Sequence, residues 1–352
     1  MEMKKSKTFI ATPPGATIKE QLAMRGMSQK EFAQRMAMSE KHISHLINGD
    51  VQLTQETAFR LEMVLGLSAR FWNNLEAIYR EKLIKVAEEN ALEADMKKEK
   101  KMPYHEMAVN SWVPMTRNIN EKVIHLRKFF EVYHLDLLNE TKLAHIACRR
   151  LGISEKADYA LLAWAQKAKL EARTITVSPI NLRKLKSALS EIRKMTLMAP
   201  EVFCKKLQQI LSECGIALVF LPHIGGSFLH GATFYDMNKI VIGLTVRGKD
   251  ADKFWFSLFH ELGHILLGHI NKPEELNEED EKAADTFARD VLIPESDFTA
   301  FKDRKQFTRE SIAAFAKKVT IDTGIVVGRL QKENHISFNM FNDMKQRYSL
   351  AE

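Results

Sequence analysis

The stretch Phe254–His269, "FWFSLFHELGHILLGH", decides how the C-terminal part of the chain folds. It sets two imidazoles and one carboxylate, at His260, Glu261 and His264, among bulky apolar residues. Burying such groups without partners costs on the order of kilocalories per mole each, and more for an ionised carboxylate. The stretch therefore predicts a buried helix whose polar side chains have a partner other than bulk water.

The spacing of these polar residues indicates a metal. His260 and His264 are four residues apart, on one helix face, so both rings can reach one zinc ion at about 2.0–2.1 Å. Glu261 lies on the next strip of the helix, where it can act as general base on a metal-bound water without being a ligand. His-Glu-x-x-His alone is a modest signal, and the apolar context strengthens it.

A third ligand is expected from "EEDEKAADTFARDVLIP", residues 278–294, which has the pattern of an amphipathic helix. Glu281 could complete the site, and Asp285, one turn on, could accept the second ring N–H of a ligating histidine. Asp280 is the rival ligand, but it is shorter and has an alanine one turn on. His269 is expected to point to the opposite side of the preceding helix and is not favoured as a ligand.

A small sheet is predicted just before this helix. The segments "IALVFLP" and "KIVIGLTV" are short and β-branched, and "YDMNK" between Phe234 and Ile240 has hairpin chemistry. His230 and Tyr235, in this region, are the candidates for stabilising an oxyanion. "KIVIGLTV" could hold a substrate strand by β-augmentation, and a plain core strand is an equally good interpretation.

The sequence "GATFYDMNKIVIGLTVRGKDADKFWFSLFHELGHILLGH", followed by "EDEKAADTFARDVLIP", resembles the ImmA/IrrE family of zinc metallopeptidases. In that family the first Glu of Glu-x-x-Ala-Asp-x-Phe-Ala is the third ligand, and it corresponds to Glu281. The resemblance implies Zn²⁺-dependent cleavage of a peptide bond, with His260, His264 and Glu281 as ligands and Glu261 as the catalytic base. A structural zinc is less favoured, because a closed site needs a fourth protein ligand.

Two short, closely coupled helices are predicted in "MSQKEFAQRMAMSEKHISHLINGD", residues 27–50. Ser28 and Glu31 form a capping box that opens the first helix. Ser39 caps the second helix, which ends at Gly49. The inward faces are predicted to consist of Phe32, Ala33, Met36, Ile43, Leu46 and Ile47. The pattern predicts a helix-turn-helix, with an ordinary three-helix core as the alternative.

The run Phe9–Tyr79 resembles the Cro/CI-type (XRE) helix-turn-helix domains of HigA-type antitoxins. The resemblance implies operator DNA binding by a homodimer, with the helix Ser39–Ile47 in the major groove. A cognate toxin is a further partner that it implies. The residues expected to contact DNA are Gln29, Ser39, Glu40, Lys41, Ser44 and His45.

Composition narrows the class of protein. The chain has 352 residues, a net charge of +7 and three cysteines. It contains no apolar run near the roughly 18 residues of a membrane span, so a soluble, cytoplasmic protein without membrane partners is expected. The cysteines suit a reducing compartment and are expected to be buried hydrophobes.

The net charge is unevenly distributed along the chain: it is +2 for residues 1–90, +9 for 91–206 and −4 for 207–352. The basic middle could attract phosphate, although interleaved glutamates favour solvated helix faces.

The predicted fold class is mainly α with a small C-terminal β-sheet (α+β). A helix-turn-helix bundle is expected at 9–85, a helical middle region at 86–200 and a zincin-like metallopeptidase domain at 201–352. The middle contains helical runs such as "YALLAWAQKAKLEA", a break at Ser178-Pro179, and a charged stretch "EADMKKEKKMP" that is either a linker or an exposed helix. It also resembles the helical region of longer family members.

Two function classes follow. The first is a DNA-binding regulator whose zinc endopeptidase cleaves a regulatory protein, a repressor or an antitoxin, with conditional activity. The second is an antitoxin or repressor that binds operator DNA and a toxin, with a zinc domain that senses or binds but does not cut. Glu261 favours the first, because a merely structural site does not need that carboxylate.

Overall fold

The computed structural model describes residues 4–140, 155–225, 231–245, 250–271 and 277–348. They belong to two compact units, Met1–Lys98 and Glu99–Glu352. The boundaries predicted near residues 85 and 200 stay predictions. No helix in these ranges has both the length and the apolarity needed to cross a membrane.

The first unit is a small helical bundle preceded by a two-stranded ribbon. Its elements are β1 (Lys4–Lys5), β2 (Ile10–Ala11), α1 (Gly15–Met24), α2 (Gln29–Arg35), α3 (Glu40–Asn48), α4 (Gln55–Leu65) and α5, which begins at Ala69 and ends at Glu99. The two strands pair antiparallel.

The predicted helix-turn-helix is confirmed in α2 and α3. The Ser28 hydroxyl accepts the Glu31 N–H at 3.1 Å, and the Ser39 hydroxyl accepts the His42 N–H at 3.2 Å, so both helices begin at the predicted cap residues. The Glu31 carboxylate accepts from Arg35 at 2.6 Å, and the second half of the predicted capping box is not formed. Ala37 turns the chain between them with φ of 52°. All six side chains predicted to point inward are buried: Phe32, Ala33, Met36, Ile43, Leu46 and Ile47.

The charged stretch after residue 92 continues α5 instead of forming a linker. The helix alternative is therefore confirmed as far as Glu99. The expectation that this helix is exposed is wrong at Asp95 and Glu99, which are both buried. Lys122 lies 3.0 Å from the Glu99 carboxylate and compensates its charge.

Two glycines that end helices of the first unit differ in their surroundings. Gly49 ends α3 with φ of 78°, and Gly66 ends α4 with φ of 74°. A Cβ at Gly49 would lie 2.6 Å from the Tyr79 hydroxyl oxygen and 2.8 Å from Pro13 Cβ, whereas a Cβ at Gly66 would meet nothing within 4 Å. Of these two positions, Gly49 requires glycine both for its backbone conformation and for close packing, whereas Gly66 requires it for its backbone conformation alone.

We expect Gly66→Ala to lower the free energy of unfolding by about 1 kcal/mol, the cost of a left-handed alanine. Gly49→Ala should cost roughly 2–4 kcal/mol, because it adds overpacking against Tyr79. Urea denaturation followed by circular dichroism measures both. Tyr79→Phe should recover part of the loss in Gly49→Ala, and equal costs for the two alanine variants would contradict the packing argument.

The second unit begins with helices and continues into a sheet and a second set of helices. The first set is α6 (Tyr104–Val109), α7 (Ile119–Phe130), α8 (Glu155–Ala172), α9 (Leu182–Lys194) and α10 (Pro200–Ser212). The sheet is β3 (Ile216–Leu221), β4 (Gly231–Asp236) and β5 (Lys239–Thr245). The second set is α11 (Ala251–Leu266), α12 (Glu278–Leu292), α13 (Glu295–Lys302), α14 (Arg309–Val319) and α15 (Thr323–Lys332). The α+β fold class and the break at Ser178-Pro179, between α8 and α9, are confirmed.

Strands β3 and β5 of the sheet are buried on both faces. The strand order is β3-β5-β4, with β3 parallel and β4 antiparallel to β5. Ile240 and Ile242 belong to the core that contains α11, while Val241 packs in the core that contains Trp164 of α8. Coverage on both sides explains why β3 and β5 have continuous apolar sequences. Because β5 is the central strand, both of its edges are paired, and the expectation that "KIVIGLTV" could add a substrate strand is wrong.

The cysteines behave as buried apolar residues. Cys214 is completely buried and Cys204 is partly buried. Burial raises the pKa of both thiols above its ordinary value, which keeps them protonated near neutral pH. Cys148 lies outside the described residues.

Candidate metal centre

Helix α11 presents His260, Glu261 and His264 from among large apolar side chains. Trp255, Phe259 and Leu262 of the same helix are completely buried in the core. Glu261 and His264 are only 2% exposed. The polar strip of α11 is therefore enclosed and must find its partners within the protein.

Helix α12 crosses α11 closely enough to supply those partners. A Cβ at Gly263 would lie 3.3 Å from the Cα of Ala284 and 3.0 Å from the Phe287 ring, tighter than ordinary packing. Ala284 is completely buried at this crossing. Because both residues at the crossing are small, Glu281, one turn before Ala284, comes within reach of both histidines.

Three donor atoms meet beside the crossing. His260 Nε2 lies 3.0 Å from His264 Nε2 and 3.2 Å from Glu281 Oε2, and His264 Nε2 lies 3.5 Å from Glu281 Oε1. Tetrahedral zinc with bonds of about 2.0–2.1 Å separates its ligands by about 3.3 Å. The spacing and chemistry of the three side chains therefore fit a zinc ion. Among the described residues, Asp280 is not part of this group.

Asp285 lies on the far side of the His260 ring. Its Oδ1 is 2.8 Å from His260 Nδ1. If Nδ1 donates its hydrogen to this carboxylate, Nε2 carries the lone pair and faces Glu281. This is the position that the predicted role of Asp285 requires.

Strand β4 of the sheet holds the Glu261 carboxylate. The Thr233 hydroxyl, on β4, donates to Glu261 Oε2 at 2.7 Å. A Cβ at Gly231 would lie only 2.9 Å from Glu261 Oε1, so the strand approaches the carboxylate where a side chain is missing. Sequence reasoning missed both residues. The available signal was a glycine inside a strand pattern, which often marks a close approach.

The two oxyanion candidates remain predictions. Tyr235 lies on β4, on the same face as Thr233 and two residues further along, and is 41% exposed. His230 lies outside the described residues.

The position of His269 differs most clearly from the position predicted from the sequence. Helix α11 ends at Leu266, and Gly268, with φ of 78°, turns the chain back. His269 Nδ1 consequently lies 3.0 Å from His264 Nδ1, so the expectation that His269 points away is wrong. Asp280 Oδ1 lies 3.6 Å from His269 Nε2, on the side of the ring away from His264.

The residues predicted to contact DNA lie on or beside α2 and α3. Lys41 is exposed, as are Gln29, Ser39 and Glu40, whereas Ser44 and His45 are half-buried. Ser39 also serves as the cap of α3, and His45 Nδ1 lies 3.2 Å from Asp50 Oδ2. Their contacts with DNA stay predictions.

We expect Gly231→Ala to lower the free energy of unfolding by about 1–3 kcal/mol, because the added methyl group overlaps the Glu261 side chain. A double-mutant cycle with Glu261→Ala, measured by chemical denaturation, tests the contact. The cost of Gly231→Ala should be smaller in the Glu261→Ala background, because the Glu261 part of the overlap is gone. Strictly additive costs would show that Glu261 does not limit the space at residue 231.

Two families match separate parts of the chain. Residues 18–72 match the helix-turn-helix family, and residues 227–330 match the IrrE N-terminal-like domain, a metallopeptidase family. The second match spans His260, Glu261, His264 and Glu281. The two matches define the class of protein: a DNA-binding helix-turn-helix regulator fused to an IrrE-like domain.

A curated relative supports the first match. The uncharacterized HTH-type transcriptional regulator YddM of Escherichia coli (strain K12) is 38% identical over 63 residues, which are 18% of this chain and 67% of that protein. The chain therefore belongs, through its N-terminal unit, to the helix-turn-helix transcriptional regulators. No solved structure matches the chain.

Proposed function

We propose that this DNA-binding regulator is also a zinc-dependent endopeptidase, which cleaves a regulatory protein such as a repressor or an antitoxin. The observation that carries the proposal is the cluster of His260 and His264 on α11 with Glu281 on α12, whose donor atoms lie within 4.8 Å of one another. Glu261 follows His260 directly on α11. The match of this region to a metallopeptidase family supports the same conclusion.

Zinc is the proposed metal because two histidines and one glutamate are a ligand set of catalytic zinc sites. When bound there, zinc would polarise a peptide carbonyl and lower the pKa of a water. In the part of the chain that the structure describes, the group has three protein donors. A structural site would require a fourth, which favours a catalytic role.

Three residues of the chain have the remaining roles, which are proton transfer and the positioning of side chains. Glu261 accepts the proton of the attacking water and returns it to the leaving amine. Thr233, by donating to Glu261 Oε2, fixes the orientation of that carboxylate. Asp285 accepts the Nδ1–H of His260 and so keeps the other ring nitrogen available for the metal.

Glu261→Gln should leave zinc and DNA binding intact and reduce cleavage of the partner protein more than about 100-fold, the low end for general base catalysis. The amide keeps the size of the side chain but cannot take the proton. The assay co-expresses the candidate partner, encoded beside this gene, and follows its length by mass spectrometry under stress, because continuous cleavage would eliminate the target. Glu279→Gln, on the exposed side of α12, is the matched control.

Equal cleavage by the wild type and Glu261→Gln would contradict the proposed mechanism. If the wild type cleaves neither neighbour-encoded proteins nor repressors and still binds its operator tightly, the second function class replaces the first. The chain is then an antitoxin or repressor, of the HigA type, that binds operator DNA and a toxin.

For DNA recognition we propose that α3 lies in the major groove of the operator and that a homodimer binds the two half-sites. Support comes from the exposure of Glu40 and Lys41 at the start of α3, since the N-terminal residues of a recognition helix contact base edges. The helix-turn-helix match over residues 18–72 supports the same assignment.

Lys41→Ala should weaken operator binding and reduce the salt dependence of the logarithm of the binding constant by about one, if Lys41 contacts a phosphate. His45→Ala should change affinity or sequence preference. Gel shifts on the protein's own promoter at several salt concentrations measure both. The control is Lys19→Ala on α1. Unchanged affinity and sequence preference in both α3 variants would contradict the proposal that α3 lies in the major groove.

A further inference from the structure

We infer that His269 and Asp280 form a positioning relay that orients His264 and fixes which of its ring nitrogens carries the hydrogen. The inference rests on the proposed metal centre and adds two residues to it. His260 has a direct carboxylate partner in Asp285, whereas His264 is connected to a carboxylate through a second imidazole.

The contacts of the relay are buried and continuous. His264 Nδ1 lies 3.0 Å from His269 Nδ1, and the two rings meet edge to face, with centroids 5.2 Å apart. His269 Nε2 lies 3.6 Å from Asp280 Oδ1, an electrostatic contact slightly longer than a hydrogen bond. His264 is 2% exposed, and His269 and Asp280 are each 6% exposed. These interactions therefore take place at a low local dielectric, where each is stronger than in water.

The metal-facing nitrogen determines the hydrogen positions along the relay. His264 Nε2, which lies 3.5 Å from Glu281 Oε1, must present a lone pair to a metal. The ring hydrogen is then on His264 Nδ1 and is donated to His269 Nδ1. His269 must in turn carry its hydrogen on Nε2, the nitrogen that faces the Asp280 carboxylate. Asp280 favours this arrangement because its negative charge attracts that N–H.

Asp280 is itself held in place by the start of α12. Its backbone N–H donates to Asn277 Oδ1 at 2.9 Å, and its Oδ2 accepts the Asn277 N–H at 3.4 Å. This capping box leaves Oδ1 directed at His269. Consecutive residues of α12 thus act on opposite sides of His264: Glu281 at Nε2, and Asp280, through His269, at Nδ1. This assigns Asp280 a role other than that of rival ligand.

The first test measures the zinc affinity of the full-length protein by competition with a chromophoric chelator. His269→Leu should weaken zinc binding by about 10–100-fold, the usual effect of removing such a partner. His269→Asn, whose amide oxygen can accept from His264, should fall between the wild type and His269→Leu. Asp280→Asn should weaken binding, and adding it to His269→Leu should cause no further loss, since the relay is already broken. Glu281→Ala is the positive control.

The matched control separates the relay from the helix cap. Asn277→Ala removes the side-chain acceptor of the cap but keeps the backbone N–H of residue 277 that binds Asp280 Oδ2. It should therefore lower the melting temperature of the zinc-free protein and change zinc affinity less than about twofold. Far-UV circular dichroism shows which variants fold. If His269→Leu does not fold, His269→Asn and Asp280→Asn carry the affinity test.

A second measurement reads the hydrogen positions directly. Nitrogen-15 NMR of the imidazoles in the zinc-loaded wild type should show His264 protonated at Nδ1 and His269 protonated at Nε2. A hydrogen on His269 Nδ1, or a zinc affinity in folded His269→Leu within about twofold of the wild type, overturns the relay. A wild type that binds no zinc overturns the proposed metal centre as well, so the two failures are distinguishable.

Discussion

The close crossing of α11 and α12 is the constraint on which the metal centre depends. Gly263 and Ala284 are both small enough for the two backbones to approach at van der Waals distance. Without this approach Glu281 could not reach both Nε2 atoms, and Asp285 could not reach the far side of the His260 ring. A larger side chain at the crossing would separate the ligand set while leaving every ligand present in the sequence.

The groups that would bind metal and the group that would move a proton are positioned by different elements. Helix α12 supplies partners for the histidines, whereas β4 supplies the hydrogen bond and the space for Glu261. Helix α11 carries both sets of residues on one rigid backbone and packs against the sheet and against α12. This division lets the orientation of Glu261 be adjusted from the sheet without moving the histidines.

The sequence predicted those features that depend on local periodicity. The four-residue spacing of His260 and His264, the helix that carries Glu281, and the two capped helices of the first unit all follow from such patterns. Features that depend on chain reversal or strand order were not predictable. The turn at Gly268 that brings His269 back to His264 was overlooked. The central position of β5 depends on its parallel pairing with β3, which no short segment encodes.

The hairpin of β4 and β5 also ties the chemistry of Glu261 to strand register. Asp236 pairs with Lys239 across a two-residue turn, and Thr233 pairs with Ile242. Side chains alternate between faces along a strand, so a slip of β4 by one residue would point Thr233 away from α11 and direct Phe234 or Ala232 at the carboxylate. The orientation of the proposed base is therefore set by the length of a turn that lies four residues along the chain from Thr233 and on a different element from Glu261.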